Sequence, residues 1–244
     1  MTDETHLTGH HDEIHIPPDD HHRDVTGGAL RAGVFGAMDG LVSNFSLVAG
    51  VIGAGLATKT VILTGLAGLA AGAFSMAAGE YTSVVSQAEA AKAEIEKEKL
   101  ELARNPVGEA AELAEIYRGY GMSPEIAQTA AEQITANPEQ NWRVHSREEM
   151  GIDPDDLPSP YVAAGSSFLF FTVGALLPLI PLFLGFGSVW AVALVSAFGL
   201  FASGAIVAKL TTRSIWFGGT RQLLLGLVAA AATYGFGALV GGGP

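Results

Sequence analysis

The chain has 244 residues, 49% of them apolar, with a mean hydropathy of +0.34 and a formal net charge of −12. It has no cysteine, which excludes disulfides and thiolate metal sites, and its 25 acids against 13 bases leave no basic stripe for a nucleic acid. The 31 glycines and the long apolar runs point instead to closely packed membrane helices.

Residues 1–28 hold His6, His10, His11, His15, His21 and His22, which are six of the seven histidines, together with seven acids and the single base Arg23. No apolar stretch of the kind found in a signal peptide lies here, so the first apolar run is expected to direct membrane insertion itself. The segment reads as a disordered, His-rich acidic tail, either a loose metal collector or a flexible extension with no fixed site.

Five apolar segments follow, at 29–57, 60–87, 161–184, 188–210 and 220–240, each reaching the ~20 residues needed to cross the hydrocarbon core. Pro178 and Pro181 predict a kink near the end of the third. With the N-terminus in the cytosol, twelve of the 13 bases fall on the cytosolic side and only Lys59 lies outside, as the positive-inside rule requires. Five spans then place the C-terminus outside. The domain organisation is a tail at 1–28, transmembrane helices 1 and 2 at 29–87, a cytosolic helical insertion at 88–159, and transmembrane helices 3 to 5 at 160–244. The fold class is therefore an all-α membrane protein with the insertion between helices 2 and 3.

Two carboxylates, Asp39 and Glu80, interrupt the first two spans. A charge near the bilayer centre costs about 3 kcal/mol on insertion scales, so such groups usually line a protein cavity on an ion or proton path. Asp39 lies eight residues beyond Arg31, about 12 Å inward at 1.5 Å per residue, and Glu80 is expected at similar depth. Met76, four residues before Glu80, shares its helix face and reads either as core filler or as a thioether ligand. For both carboxylates the rival reading is a hydrogen bond to a neighbouring helix.

The insertion reads as four helical pieces. Residues 87–103 continue the second span into the cytosol. Asn105-Pro106 ends that helix, Val107 to Tyr117 form a second closed by Gly119-Tyr120-Gly121, Ser123-Pro124-Glu125 opens a third, and Asn137-Pro138 breaks again before a fourth at 139–150. Asp153 to Pro160 form an extended linker. Glu94, Glu98 and Glu101 fall on one helix face, Glu109 and Glu112 form an i, i+3 pair, and His145 and Glu149 an i, i+4 pair. Clustered like charges are unfavourable in a bare helix, and a bound cation relieves the repulsion. Carboxylates with one imidazole suit Fe2+, Mn2+ or Zn2+. The other reading is a solvated surface whose acids pair with Lys92, Lys97 and Lys99.

Residues Asp39-Gly40-Leu41-Val42 with Ser46-Leu47-Val48-Ala49-Gly50-Val51, and Gly72-Ala73-Phe74-Ser75-Met76-Ala77-Ala78-Gly79-Glu80-Tyr81 with Ser83, Ser86 and Gln87, resemble the first- and second-helix signatures of the vacuolar iron transporter (VIT) family. The resemblance covers about residues 29–241. It implies a five-helix homodimer with the pathway at its two-fold interface, exporting Fe2+, and in many members Mn2+, from the cytosol in exchange for protons. It assigns Asp39 and Met76 to the pathway, with Glu80 in the same motif, and Glu98, Glu101, Glu109, Glu112 and Glu149 to the metal-binding insertion. Where plant members carry methionines just before the last of these, this chain has His145 and Ser146, which puts the metal preference in question.

The expected function is a divalent metal transporter for metal homeostasis and detoxification, working by proton antiport. It is not expected to be an enzyme, and no permanently bound cofactor is expected. Its partners are Fe2+, Mn2+ or Zn2+ as the transported or bound ion, protons, membrane lipid and a second copy of the chain. The length and the tail suggest a bacterial plasma membrane. The alternative is a membrane-anchored iron sensor or store without transport. A ferritin-like oxidase is disfavoured because Glu-x-x-His does not occur, and no phosphate loop is visible for ATP-driven pumping.

Overall fold

A computed structural model describes residues 28–241, with side chains described from Arg31 onward; the histidines of the tail fall outside this range. Among the described residues there are helices and no strand. Five stretches are long and apolar enough to cross a membrane.

Helix α1 (Gly28–Gly53) is joined by a short turn to α2 (Thr58–Arg104), whose 47 residues run about 70 Å at 1.5 Å per residue, more than twice the ~30 Å hydrocarbon core. No glycine or proline occurs between Glu80 and Arg104, so nothing in the sequence breaks the helix after the apolar part of α2.

The breaks that follow share one device. Asn105 ends α2, and its side chain accepts a hydrogen bond from the Gly108 amide to open α3 (Pro106–Gly119). Ser123 does the same for α4 (Pro124–Thr135) and Asn137 for α5 (Pro138–Glu148). Ser159 returns the chain to the membrane as the cap of α6 (Pro160–Leu176). In each case proline follows the cap, where its missing N–H costs nothing. Pro178 and Pro181 interrupt the third span, which continues as a 3-10 turn (Leu177–Leu179) and α7 (Ile180–Phe183). Helix α8 (Val189–Leu210) and α9 (Ile215–Val240) complete the set. The last helix begins at Ile215, earlier than the expected 220. Gly218 and Gly219 lower helix propensity in sequence, but here they give close contact with α8 at Gly204 and Phe201.

Helix α1 is central and packs on α2, α6, α8 and α9. Its seam with α6 leaves no room for a side chain at several points, two of them the tightest. A β-carbon at Gly40 would meet the Phe171 carbonyl, and one at Gly174 would meet the Ala37 carbonyl. Both obstacles are backbone, so neither yields by a rotamer change. Gly40→Val is therefore expected to destabilise the detergent-solubilised protein by about 1–3 kcal/mol, read as a lowered unfolding midpoint; an unchanged midpoint would contradict this packing.

The α1–α2 register sets the depth of the polar groups. Gly65 faces Val48, Gly68 faces Leu47 and Asn44, and Ala32 clusters with Val84. In this antiparallel register Asp39 lies level with Ser75 and Met76. Glu80 lies about one turn nearer the insertion, not level with Asp39 as the residue count alone suggests. Outside the membrane part, Leu113, Ala114 and Tyr117 of α3 and Ala127 and Ala131 of α4 form a small core against Val144 of α5, which holds α5 against α2.

Candidate metal centre and transmembrane cleft

Two sites arise from this arrangement. In the first, α2 supplies Glu98, the first turn of α3 supplies Glu109, α5 supplies His145, and the residue after α5 supplies Glu149. One donor atom from each lies within 4.8 Å of the others. His145 is fully buried, Glu98 and Glu109 are buried, and the Glu149 side chain is 19% exposed. His145 Nδ1 lies 2.7 Å from Glu149 Oε1 and 3.3 Å from Glu98 Oε1. Nδ1 is thus flanked by two carboxylates. His145 Nε2 and Glu98 Oε1 are buried without a hydrogen-bond partner.

The electrostatics favour a bound cation. Burial pushes Glu98 up to about 7, and the charge of Glu149 adds to it. Glu109 is raised by burial and then by Glu112, and Glu149 by burial and then by Glu112 and Glu101. Burial lowers His145 and outweighs the neighbouring carboxylates, so the ring is held neutral, the form that ligates metal. Three carboxylates and one imidazole with two unpartnered atoms fit a divalent first-row cation.

Of the six insertion residues expected from sequence, four meet here. Glu101 is half exposed and lies 3.9 Å from Lys97, and Glu112 is exposed on α3. Both add to the negative field without joining the group. Metal binding requires the deprotonated carboxylates. Because the Glu98 value is raised, protons compete for it below about pH 7, while His145, its value lowered by burial, stays neutral there. Affinity for Mn2+ should therefore fall about fivefold or more from pH 7 to 6, and about tenfold per unit below that, as measured by calorimetry on the whole protein. A pH-independent affinity would rule out this ligand set.

The second site is a cleft of about 310 Å3 between α1 and α2, lined by Asp39, Ser43, Asn44, Ser75, Met76 and Phe171 among others. Asp39 and Met76 both line it. Ser43 Oγ donates to Asp39 Oδ1 at 3.0 Å, and no base caps the carboxylate among the described residues. A second cleft of about 340 Å3 opens on the other side of Asp39, toward Gln222 and Leu225 of α9. Glu80 lines neither; it faces Arg31 of α1 at 3.4 Å, with its side chain 14% exposed. Sequence reasoning missed Ser43, Asn44 and the Arg31–Glu80 pair. The i, i+4 spacing of Asp39 and Ser43 was the available signal for the first, and a lone amide inside an apolar span for the second.

A family model described as the VIT family matches residues 30–238. The chain is 30% identical over 236 residues to "Vacuolar iron transporter 1" of Oryza sativa subsp. japonica, covering 95% of this chain and 90% of that protein. It is 36% identical over 221 residues to "Vacuolar iron transporter" of Acanthamoeba castellanii, covering 88% and 79%. It is 28% identical over 231 residues to "Vacuolar iron transporter 1" of Arabidopsis thaliana, covering 93% and 89%.

Proposed function

The chain belongs to the VIT family, and from that premise we propose that it carries Fe2+ and Mn2+ across a membrane, out of the cytosol and in exchange for protons, serving metal homeostasis and detoxification. The single observation that carries this reading is Asp39, a carboxylate within the first span that opens on two clefts and has no cationic partner among the described residues. The names of the relatives specify iron; Mn2+ rests on the chemistry of the donors, oxygen with one thioether.

The proposed path starts at the insertion, which faces the cytosol together with the N-terminus. Glu98, Glu109, His145 and Glu149 capture the ion there, and the field of Glu101 and Glu112 concentrates it. The ion passes the Arg31–Glu80 pair and enters the cleft at Asp39 and Met76. Metal and protons compete for Asp39, since only the ionised form binds metal; protons arriving from the far side release the ion. Glu80 acts through its pairing with Arg31 at the mouth of the cleft.

A homodimer follows from the same residue. Asp39 is exposed on the single chain, beside exposed Phe35, and a carboxylate facing lipid costs about 3 kcal/mol. A second copy against this face covers the clefts and brings two Asp39 carboxylates to one pathway. The names of the relatives carry a vacuolar assignment and lend no support to a bacterial plasma membrane.

Purified protein in proteoliposomes should give Fe2+ and Mn2+ flux that rises when an opposing proton gradient is imposed. Tight metal binding by the insertion with no flux would favour a membrane-anchored sensor or store instead.

A further inference from the structure

Asn44 of α1 is five residues beyond Asp39, about 7.5 Å farther from the insertion, and lines the same cleft. The residue is 2% exposed. Nδ2 donates to the Ala175 carbonyl at 2.6 Å. A carbonyl only accepts, so this contact fixes which end of the amide is nitrogen. The other end, Oδ1, is buried with no hydrogen-bond partner. It faces Gly68 of α2, where a β-carbon would come within 3.3 Å of it. A buried acceptor is rarely left without a donor, and this one is held rigidly at the wall of the cleft that contains Asp39.

We propose that Asn44 Oδ1 is a neutral oxygen ligand for the divalent cation, receiving it from Asp39 on its way to the far side. This rests on the transport reading above. An amide oxygen is a hard donor suited to Mn2+ and Fe2+. It carries no proton at any working pH, so it holds the ion without entering the proton exchange that occurs at Asp39. It also binds less strongly than a carboxylate, and a conducting site must be weak enough for the ion to leave. A side chain at position 68 would crowd both Leu47 and this oxygen, so glycine there lets the two helices meet at the cleft wall.

The test uses the whole protein in proteoliposomes, with Mn2+ and Fe2+ flux measured separately against concentration. Asn44→Leu should lower sub-saturating Mn2+ flux about tenfold, the scale on which lost metal-site contacts act. Fe2+ flux should fall less, because the Met76 thioether remains, so the Fe2+/Mn2+ ratio rises. Asn44→Asp keeps an oxygen toward Gly68 and adds a charge; KM should fall about fivefold and the maximal rate with it, as the ion is held longer. Equal losses for both ions in both variants, together with a lowered unfolding midpoint, would show that Asn44 only caps the Ala175 carbonyl, and unchanged kinetics would also overturn the proposal. No flux from the unmodified protein would defeat the transport reading and this inference together, whereas normal flux with an unaltered ion ratio defeats this inference alone.

Discussion

Asp39→Asn should reduce Fe2+ and Mn2+ flux roughly 100-fold or more in proteoliposomes while leaving the protein folded. The substitution is isosteric and can keep the contact with Ser43 Oγ, so packing is preserved. It removes the one full negative charge in the cleft. A unit-charge pair at 4 Å is worth about 4 kcal/mol at an effective dielectric of 20, and a divalent ion feels twice that before desolvation is counted. Even half of the total, about 4 kcal/mol, exceeds the ~2.8 kcal/mol that separates a hundredfold change. An asparagine also cannot take up a proton, so any residual flux should lose its dependence on the pH gradient. Near-normal, gradient-driven flux in Asp39→Asn would remove the residue from the pathway.

The second large effect is at the insertion. Glu98→Gln with Glu109→Gln should weaken Mn2+ binding to the protein by roughly two orders of magnitude, since two of four donors lose their charge. Apparent affinity in transport should fall with it, while the maximal rate at saturating metal stays within about twofold, because the cleft at Asp39 is untouched. The metal-free protein should not be destabilised. Burial raises both glutamates, so the fold disfavours their ionised forms, and a neutral amide resembles the protonated acid that the fold prefers. A matching collapse of the maximal rate would mean that the insertion takes part in translocation itself.

Local sequence rules placed most of the framework. The five spans followed from apolar length. The extension of α2 followed from a run without glycine or proline, and the insertion helices from Asn or Ser followed by proline. What local rules could not give was depth. Glu98 and Glu101 are three apart on one helix face, yet only Glu98 turns into the contact with α5. Glu109 and Glu112 differ in the same way across α3. Spacing identifies a face, whereas burial depends on which helix packs there, and that is decided by the apolar core of α3, α4 and α5. The Arg31–Glu80 pair joins residues 49 apart and exists only because of the antiparallel register of α1 and α2, which is set by the small residues along both. Asn44 was a single polar residue in an apolar span, and its meaning depends on Ala175 and Gly68, which come from two other helices.

The claim on which everything rests is that the cleft beside Asp39 is wet and receives the metal ion. The chain has no cysteine, so Ser75→Cys, on the cleft wall facing Asp39, gives a single addressable thiol in the intact protein. The account predicts that a charged, membrane-impermeant thiol reagent applied from the insertion side modifies this cysteine, that modification blocks flux, and that Mn2+ slows the reaction in a concentration-dependent way. A thiol that reacts only with lipid-soluble reagents, or one whose modification Mn2+ leaves unaffected, would contradict it.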